Sequence, residues 1–199
     1  MQYKNNIIGK ILTPINRRKF KRFVKKYNGD FATKKLSTWE QFIAILLGQL
    51  TNCSSLREIE STVKFHANEH YHLGLRGNVA RSTLANANER RDWRIFRDVC
   101  FDLINNLSLF EKLETENLVK LIDSSPIRLD LANQPCIAII AFVLLRLMKK
   151  LQAFCKDIPL KTIITIAKNG LFTKLSVKKY SKKNSNAFKQ LHFNLVMND

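Results

Sequence analysis

The side chains best suited to ligand chemistry lie between residues 81 and 91. Asparagine amides can pair with adenine, and arginine guanidinium groups can pair bidentately with guanine, in the major groove of DNA. Ser82 is predicted to cap a short helix, Thr83–Arg90, after a loop in which Gly74 and Gly77 are the turn points. This layout resembles the second half of a helix-turn-helix, and a capped surface helix whose asparagines bond the neighbouring turn is an equally good interpretation. The candidate DNA contacts are Arg81, Ser82, Thr83, Asn86, Asn88, Arg90 and Arg91.

A second basic segment, residues 17–27, has the sequence RRKFKRFVKKY. Its apolar residues recur at three- and four-residue steps, which predicts a helix with one apolar face. The other face is almost wholly lysine and arginine, which suits phosphate contacts better than base contacts. A solvated charged face is an equally good interpretation. The candidates are Arg17, Arg18, Lys19, Lys21, Arg22, Lys25 and Lys26.

Metal-binding chemistry has little support in the residues themselves. Asp123 follows the short apolar run of residues 118–122, where an aspartate that caps a serine-containing turn is the stronger interpretation. His66 and His70 are four residues apart, but they fall where a helix should end. The cysteines at 53, 100, 136 and 155 form no CxxC pair, so we expect no zinc site and interpret them as reduced, mostly buried thiols.

The overall charge points to a polyanionic partner. Lysine and arginine number 34 and aspartate and glutamate 16, which gives a net charge of +18. Such a surplus repels itself unless it is neutralised, and nucleic acid is the usual partner because bound cations release counterions from its phosphates. Residues 1–107 carry 19 basic and 9 acidic side chains, residues 108–145 carry 3 and 5, and residues 146–199 carry 12 and 2.

No membrane association is expected. The longest apolar run, Cys136–Leu145, is too short to cross a bilayer, which takes about 20 residues. No secretory signal is evident, so we expect a cytoplasmic protein.

The first 107 residues are predicted to form a bundle of five or six helices. Ser37–Glu40 has the pattern of a capping box that opens an apolar helix to about Leu50. Ser55–Glu58 repeats the pattern and opens a helix to about Ala67, and residues 68–81 are predicted to be a loop. Asp92 is predicted to cap a helix from Trp93 to Asn106. The inward residues predicted for the helix after Ser55 are Leu56, Ile59, Val63 and Phe65.

The pattern changes after Leu118, where strand, turn and strand are predicted up to Leu129. Pro135 is predicted to begin a long apolar helix to about Phe154. A second helix is predicted near residues 159–167, and residues 171–199 are predicted to be a flexible basic tail.

Several stretches occur in an order and spacing that resemble one family over about 100 residues. They are Gln41-Phe42 with Gly48-Gln49-Leu50-Thr51, residues 55–60, residues 71–75 and residues 81–93. Together they resemble the N-terminal region of IS-four-type bacterial insertion-sequence transposases, which implies a helical DNA-binding region. By the same resemblance, residues 121–126 look like the first strand of a ribonuclease-H-like core with Asp123 as its first catalytic aspartate. Residues 137–147 look like the family's C-terminal helix.

The sequence departs from this family in its acidic residues. The family's chemistry uses two aspartates and a glutamate to hold two Mg²⁺ ions. After Asp123 the only acidic residues are Asp130, Asp157 and Asp199, and no glutamate follows Glu116. An internally deleted element is the simplest interpretation, so we expect no cofactor, although intact relatives would use Mg²⁺.

This interpretation predicts a mainly α protein with four segments. They are a helical DNA-binding domain with a helix-turn-helix-like element (1–107), a β-hairpin remnant of the catalytic core (108–134), a C-terminal helical segment (135–170) and the basic tail (171–199). An apolar helix without the sheet that would cover it should expose a hydrophobic face that favours aggregation.

The expected function is a transposase-derived, catalytically inactive DNA-binding protein. Its expected partners are the terminal inverted repeats of its own element and, through a dimer or a mixed complex, full-length transposase. Two alternatives stay open, namely an active metal-dependent transposase and a general basic nucleic-acid binder.

Overall fold

The described part of the chain consists of helices joined by short connections. The computed structural model describes residues 7–105, 107, 133–151 and 165. No β-strand occurs within those ranges, and the strands predicted on either side of Asp123 lie outside them. The helices in chain order are α1 (Ile7–Leu12), α2 (Arg17–Lys26), α3 (Thr38–Thr51), α4 (Leu56–Phe65), α5 (His70–Leu73), α6 (Arg81–Arg90), α7 (Arg94–Ile104) and α8 (Asn133–Leu151).

The capping box predicted at the start of α3 is confirmed. Ser37 Oγ accepts the backbone N–H of Glu40 at 3.3 Å, and the Glu40 carboxylate accepts the backbone N–H of Ser37 at 2.8 Å. The helix ends at Thr51, and its C-cap Asn52 adopts the left-handed conformation with a φ of 62°. Most side chains of α3 are buried, so this helix occupies the centre of the core, as its apolar composition predicts.

The helix α2 has the apolar face that its periodicity predicts. Phe20 and Val24 are buried, and Phe23 and Tyr27 pack partly buried against the core. The Asn16 side chain caps the helix, since its oxygen accepts backbone N–H groups from the first turn.

The long apolar helix α8 packs against α7, α3 and α1. Ile137, Ile140, Val143 and Leu144 are completely buried. The expectation of an exposed hydrophobic face is therefore wrong. Helices from the first 107 residues cover these apolar side chains in place of a sheet. The helix therefore shares one hydrophobic core with the bundle.

The region between α4 and α6 differs from its prediction in three respects. Residues 67–69 form a 3₁₀ turn and residues 70–73 form α5, so the predicted loop is partly helical. Gly74 turns the chain with a φ of 72°, whereas Gly77 has no such conformation. Phe65 is 83% exposed rather than inward, because it comes two residues after the completely buried Val63 and therefore lies on the opposite face of α4.

The helix α6 begins two residues earlier than predicted. Its N-cap is Ala80, so Ser82 lies in the first turn and does not cap the helix. Seven residues separate Leu73 from Arg81, whereas a helix-turn-helix joins its helices by three or four. The preceding helix, α5, is only four residues long. The local geometry is therefore not that of a helix-turn-helix.

Within the described ranges, no helix combines the length and apolar character that spanning a bilayer requires.

Candidate nucleic-acid interface

The outer side of α2 presents a row of exposed cations. Arg18, Lys21, Arg22 and Lys25 are all exposed. None of the four forms an ion pair with a residue that the structure describes. Their charges are therefore available to an external polyanion, and we call these four residues the α2 cation row.

Two other lysines of α2 have a different role. Lys19 Nζ lies 2.5 Å from Asp102 Oδ1, and Lys26 Nζ lies 2.9 Å from Asp98 Oδ2. Both acids belong to α7, so these pairs attach α2 to its neighbour. The predicted phosphate contacts on α2 thus include the α2 cation row, unpaired within the described residues, and two lysines whose charges are compensated by acids of α7.

Arg17 at the start of α2 stacks on an aromatic ring. Its guanidinium carbon lies 3.5 Å from the Trp39 ring centroid. The indole N–H of Trp39 donates to Leu73 O at 2.8 Å, and the Trp39 and Phe20 rings meet edge to face with their centroids 5.1 Å apart. Arg17 therefore covers a structural tryptophan that joins α2, α3 and the end of α5.

An open groove of about 630 Å³ lies between α2, the start of α3 and the turn at Gly74. Its lining combines cationic with aromatic side chains. The cations are Arg17, Lys21, Lys25 and Arg76, and the aromatic residues are Phe20, Phe31 and Trp39. We call this the α2–α3 groove. Phe31 at the groove is 83% exposed.

Glu40 holds Arg76, one of the cations that line the groove, in place. Its carboxylate accepts hydrogen bonds from the backbone N–H and from the guanidinium of Arg76, with Oε2 2.8 Å from Nη2. Burial raises the pKa of Glu40, but the hydrogen bonds from Arg76 and Ser37 outweigh burial and lower the pKa to about 2. Glu40 is therefore ionised at neutral pH and compensates Arg76.

The outer side of α6 forms a second polar surface. Arg81, Ser82, Asn86 and Arg90 are exposed, and Thr83 is partly exposed. No side chain caps the helix, so its first N–H groups lack the partner that Ser82 was expected to provide. Uncapped N–H groups together with the helix dipole favour an anion at this end.

Two of the predicted DNA contacts, Asn88 and Arg91, are buried instead. Asn88 is 6% exposed, and its side-chain oxygen accepts a hydrogen bond from Gln41 at 2.6 Å. Asn133 of α8 donates to the carbonyl oxygens of both residues. These two residues therefore hold α3, α6 and α8 together, and their placement contradicts their prediction as DNA contacts.

The Arg91 guanidinium also holds the connection between α2 and α3. It donates to Gly29 O at 3.0 Å, to Gln41 Oε1 at 2.9 Å and to Leu36 O. Asp30 lies 3.8 Å away. Burial lowers the pKa of Arg91, and the nearby charge of Asp30 opposes that effect. The connection that carries Phe31 is thus fixed near both ends.

The turn after Gly74 brings the groove and α6 close together. The chain advances five positions from Arg76 to Arg81, so their Cα atoms lie no more than about 18 Å apart. Arg76 and Arg81 are both exposed, so these two cations lie on neighbouring parts of the surface.

The structure brings no metal site together among its described residues. No group of three His, Cys, Asp or Glu side chains has metal-binding geometry there. His70 is buried, with Nε2 2.7 Å from Val63 O. Asp123 and the basic tail lie outside the described residues.

Residues 3–76 match the family described as Domain of unknown function (DUF4372). No curated protein and no solved structure matches the chain. The matched segment contains the α2 cation row, Trp39 and Arg76, whereas α6 lies beyond it.

The sequence did not point to Phe31, Trp39 and Arg76 as members of one groove. Phe31 carried a usable signal, because it is a large apolar residue within the polar stretch Asn28–Lys35. Arg76 carried none, because its position depends on a hydrogen bond to Glu40, which lies 36 residues away in the chain.

Proposed function

We propose that this chain is a DNA-binding protein of transposase descent. The observation that carries the proposal is the α2 cation row, which consists of four exposed charges with no ion-pair partner among the described residues. Each such charge that meets a phosphate releases counterions and strengthens binding at low salt. The exposed residues of α6, Arg81, Asn86 and Arg90 among them, provide groups able to contact bases or phosphates.

The transposase part of the proposal is supported by the domain match and by the sequence resemblance. The domain over residues 3–76 is commonly found in transposase-like proteins. The order of motifs from Gln41 to Trp93 resembles the IS-four type in particular. We expect the natural target to be the terminal inverted repeats of the element that encodes the chain.

A direct test is equilibrium binding of the full chain to a terminal-repeat duplex and to a scrambled duplex of equal length. Each is titrated at several salt concentrations. The proposal expects tighter binding to the repeat and a steep loss of affinity with salt on both duplexes. Absence of binding to either duplex at low ionic strength would contradict it.

A general basic nucleic-acid binder is the second candidate, which the net charge of +18 favours. It predicts equal affinity for repeat and scrambled duplexes and the same salt dependence on both. The comparison of the two duplexes therefore separates the candidates in one experiment.

We further propose that these 199 residues do not catalyse strand transfer. Asp123 is the one acidic residue that falls in a segment resembling the family's catalytic motif, and no glutamate follows Glu116. Two metal ions need more than one carboxylate ligand. Mg²⁺- or Mn²⁺-dependent cleavage of a terminal-repeat duplex that is lost in Asp123→Ala would contradict this and favour an active enzyme.

A DNA-binding region without catalysis would act as a competitor of full-length transposase, either by occupying repeats or by forming mixed dimers. Adding the chain to a strand-transfer reaction with the full-length enzyme should then lower the yield of product. An unchanged yield at saturating occupancy of the repeats would end the competitor proposal.

A further inference from the structure

We propose that the α2–α3 groove binds an unpaired nucleotide, so that the chain prefers DNA with a short single-stranded overhang to fully paired duplex. This inference rests on the proposed DNA-binding function and goes beyond it by assigning a distinct ligand to the groove. Proteins that bind unpaired strands combine a cationic groove with aromatic side chains on which bases stack, and the α2–α3 groove has both.

Phe31 is the aromatic side chain available for stacking. It is 83% exposed, whereas Trp39 has Arg17 stacked 3.5 Å from its ring centroid and Phe20 is buried. Covering an exposed phenylalanine removes apolar surface from water, which favours the bound state. The base of an unpaired nucleotide would cover the Phe31 ring at a groove whose cations bind the attached phosphates.

The backbone around Phe31 is held rather than free to collapse onto the protein. Phe31 N–H donates to Asn28 O at 3.0 Å, and Asp30 accepts hydrogen bonds from the N–H and the hydroxyl of Thr38. Arg91 donates to Gly29 O and Leu36 O on either side. A ring presented by a fixed segment loses little conformational entropy on binding, and this favours affinity.

Of the four cations in the groove, Lys21 and Lys25 are left for a phosphate, because Arg17 stacks on Trp39 and Glu40 compensates Arg76. Glu40 compensates Arg76 with an Oε2–Nη2 distance of 2.8 Å, and Asp30 lies 3.8 Å from the buried Arg91. Lys21 and Lys25 form no ion pair within the described part of the chain and lie one helical turn apart on α2. Residues at this spacing are neighbours on a helix surface, so one phosphate can be shared by both ammonium groups.

A paired duplex cannot use Phe31 in this way. Away from its ends, its bases are stacked within the double helix, and only its backbone and groove edges reach a protein surface. An unpaired base exposes both faces, so stacking on Phe31 selects an overhang or a frayed end. Arg18 and Arg22 of the α2 cation row do not line the groove, so they remain for duplex phosphates in either case.

The test compares three DNA ligands against the full chain by fluorescence anisotropy. They are a blunt duplex, the same duplex with a short unpaired overhang, and that overhang with abasic nucleotides. We expect the natural overhang to bind at least about fivefold tighter than the blunt duplex, the lower end for stacking one base on an aromatic ring. The abasic overhang should give a much smaller gain, since it keeps the phosphates and lacks the base.

Phe65 offers a matched control for Phe31, because both phenylalanines are 83% exposed and only Phe31 lines the groove. Phe31→Ala should remove the overhang gain and leave blunt-duplex affinity within twofold of the wild type. Phe65→Ala and Phe31→Trp should both keep the gain. Circular dichroism of each variant checks that the helices are intact.

The possible failures are distinguishable. Blunt-duplex binding with no overhang gain, an equal gain from the abasic overhang, or a gain that survives Phe31→Ala would each overturn the inference and leave the proposed function standing. Absence of binding to every DNA would overturn both.

Discussion

Three arginines show how the surroundings of a guanidinium decide its role. Arg17 stacks on the Trp39 ring, Arg76 binds the carboxylate of Glu40, and Arg91 is buried and donates to backbone and amide oxygens. Their sequence neighbours do not reveal these roles, because Arg17 lies in a basic run, Arg76 has uncharged neighbours and Arg91 lies between residues of both charges. A guanidinium has donors for several acceptors at once, so Arg91 connects parts of the chain that a lysine ammonium would not reach together.

Gly29 is predicted to tolerate no side chain. A Cβ at this position would lie 2.5 Å from Ile95 Cδ1 and 2.9 Å from Thr38 Oγ1, and Ile95 is completely buried. We expect Gly29→Ala to lower the free energy of unfolding by about 1–3 kcal/mol, as overpacking of a core does. Urea denaturation measures this. Gly77→Ala is the control, because nothing lies within 4 Å of its added Cβ, and a loss equal to that of Gly29→Ala would contradict the expected clash.

Glu40 is predicted to make stability depend on pH in the acidic range. Its pKa falls from an ordinary 4.5 to about 2 in the folded chain. A carboxylate with a lowered pKa contributes stability above the unfolded value, so the contribution is complete above about pH 4.5 and is lost as the pH falls towards 2. Glu40→Gln should therefore be less stable than the wild type at pH 7 by about 1–3 kcal/mol.

The measurement is the difference in unfolding free energy between wild type and Glu40→Gln at a series of pH values. That difference should shrink steadily as the pH is lowered from 4.5. The exposed Glu89→Gln serves as the control at neutral pH and should stay within about 0.5 kcal/mol of the wild type. A pH-independent difference for Glu40→Gln would show that its carboxylate is not preferentially charged in the fold.

At the scale of elements, the sequence predicted a helix cap or a buried helix face correctly where neighbouring residues alone determine it. The box at Ser37–Glu40 and the apolar periodicity of α2 involve residues within one or two turns, and both predictions are confirmed. The predicted start of α6 was wrong. Ser82 has the right chemistry for an N-cap, but the helix already begins at Arg81, after Ala80. The prediction of Asn88 and Arg91 as DNA contacts was wrong. Both are buried against Gln41 and Asn133, which are distant in the sequence.

The C-terminal end of α6 gives a further prediction, which contrasts adjacent arginines. Arg90 is exposed and Arg91 is 6% exposed with three acceptors within the protein. Arg91→Ala should lower the free energy of unfolding by about 2–4 kcal/mol, because buried oxygens lose their donors. Arg90→Ala should change stability by less than about 0.5 kcal/mol and weaken DNA binding.

Thermal unfolding and DNA titration of the two variants provide the measurements for this contrast. Both substitutions remove the same side chain from neighbouring positions, so total charge and size are matched. Equal stability of the two variants would contradict the buried role of Arg91.

At the scale of the whole molecule, the mainly helical architecture and the basic character followed from the sequence, whereas the position of α8 did not. The sequence identified an apolar stretch at residues 136–145 but could not say which surface covers it. In the structure α7, α3 and α1 do so. Burial against the bundle removes the apolar area from water without the sheet that the family resemblance implied. The partners of an apolar face depend on packing between distant segments, which composition does not encode.

The net charge of +18 raises the question of whether DNA binding depends on total charge or on one surface. Replacing Lys21 and Lys25 by glutamine removes two outward charges from α2. Replacing Lys19 and Lys26 by glutamine removes two charges from the same helix that are compensated by acids of α7. The two double variants therefore have equal net charge and differ only in which charges remain.

We expect the Lys21→Gln/Lys25→Gln variant to reduce the slope of log affinity against log salt concentration on blunt duplex by about 2, since each phosphate contact contributes about 0.9. The Lys19→Gln/Lys26→Gln variant should reduce the slope by less than half as much, because its lysines face Asp102 and Asp98 rather than a ligand. Titrations at four or more salt concentrations give both slopes. Equal slopes for the two variants would mean that binding follows net charge alone, and the α2 cation row would then have no special part in contacting DNA.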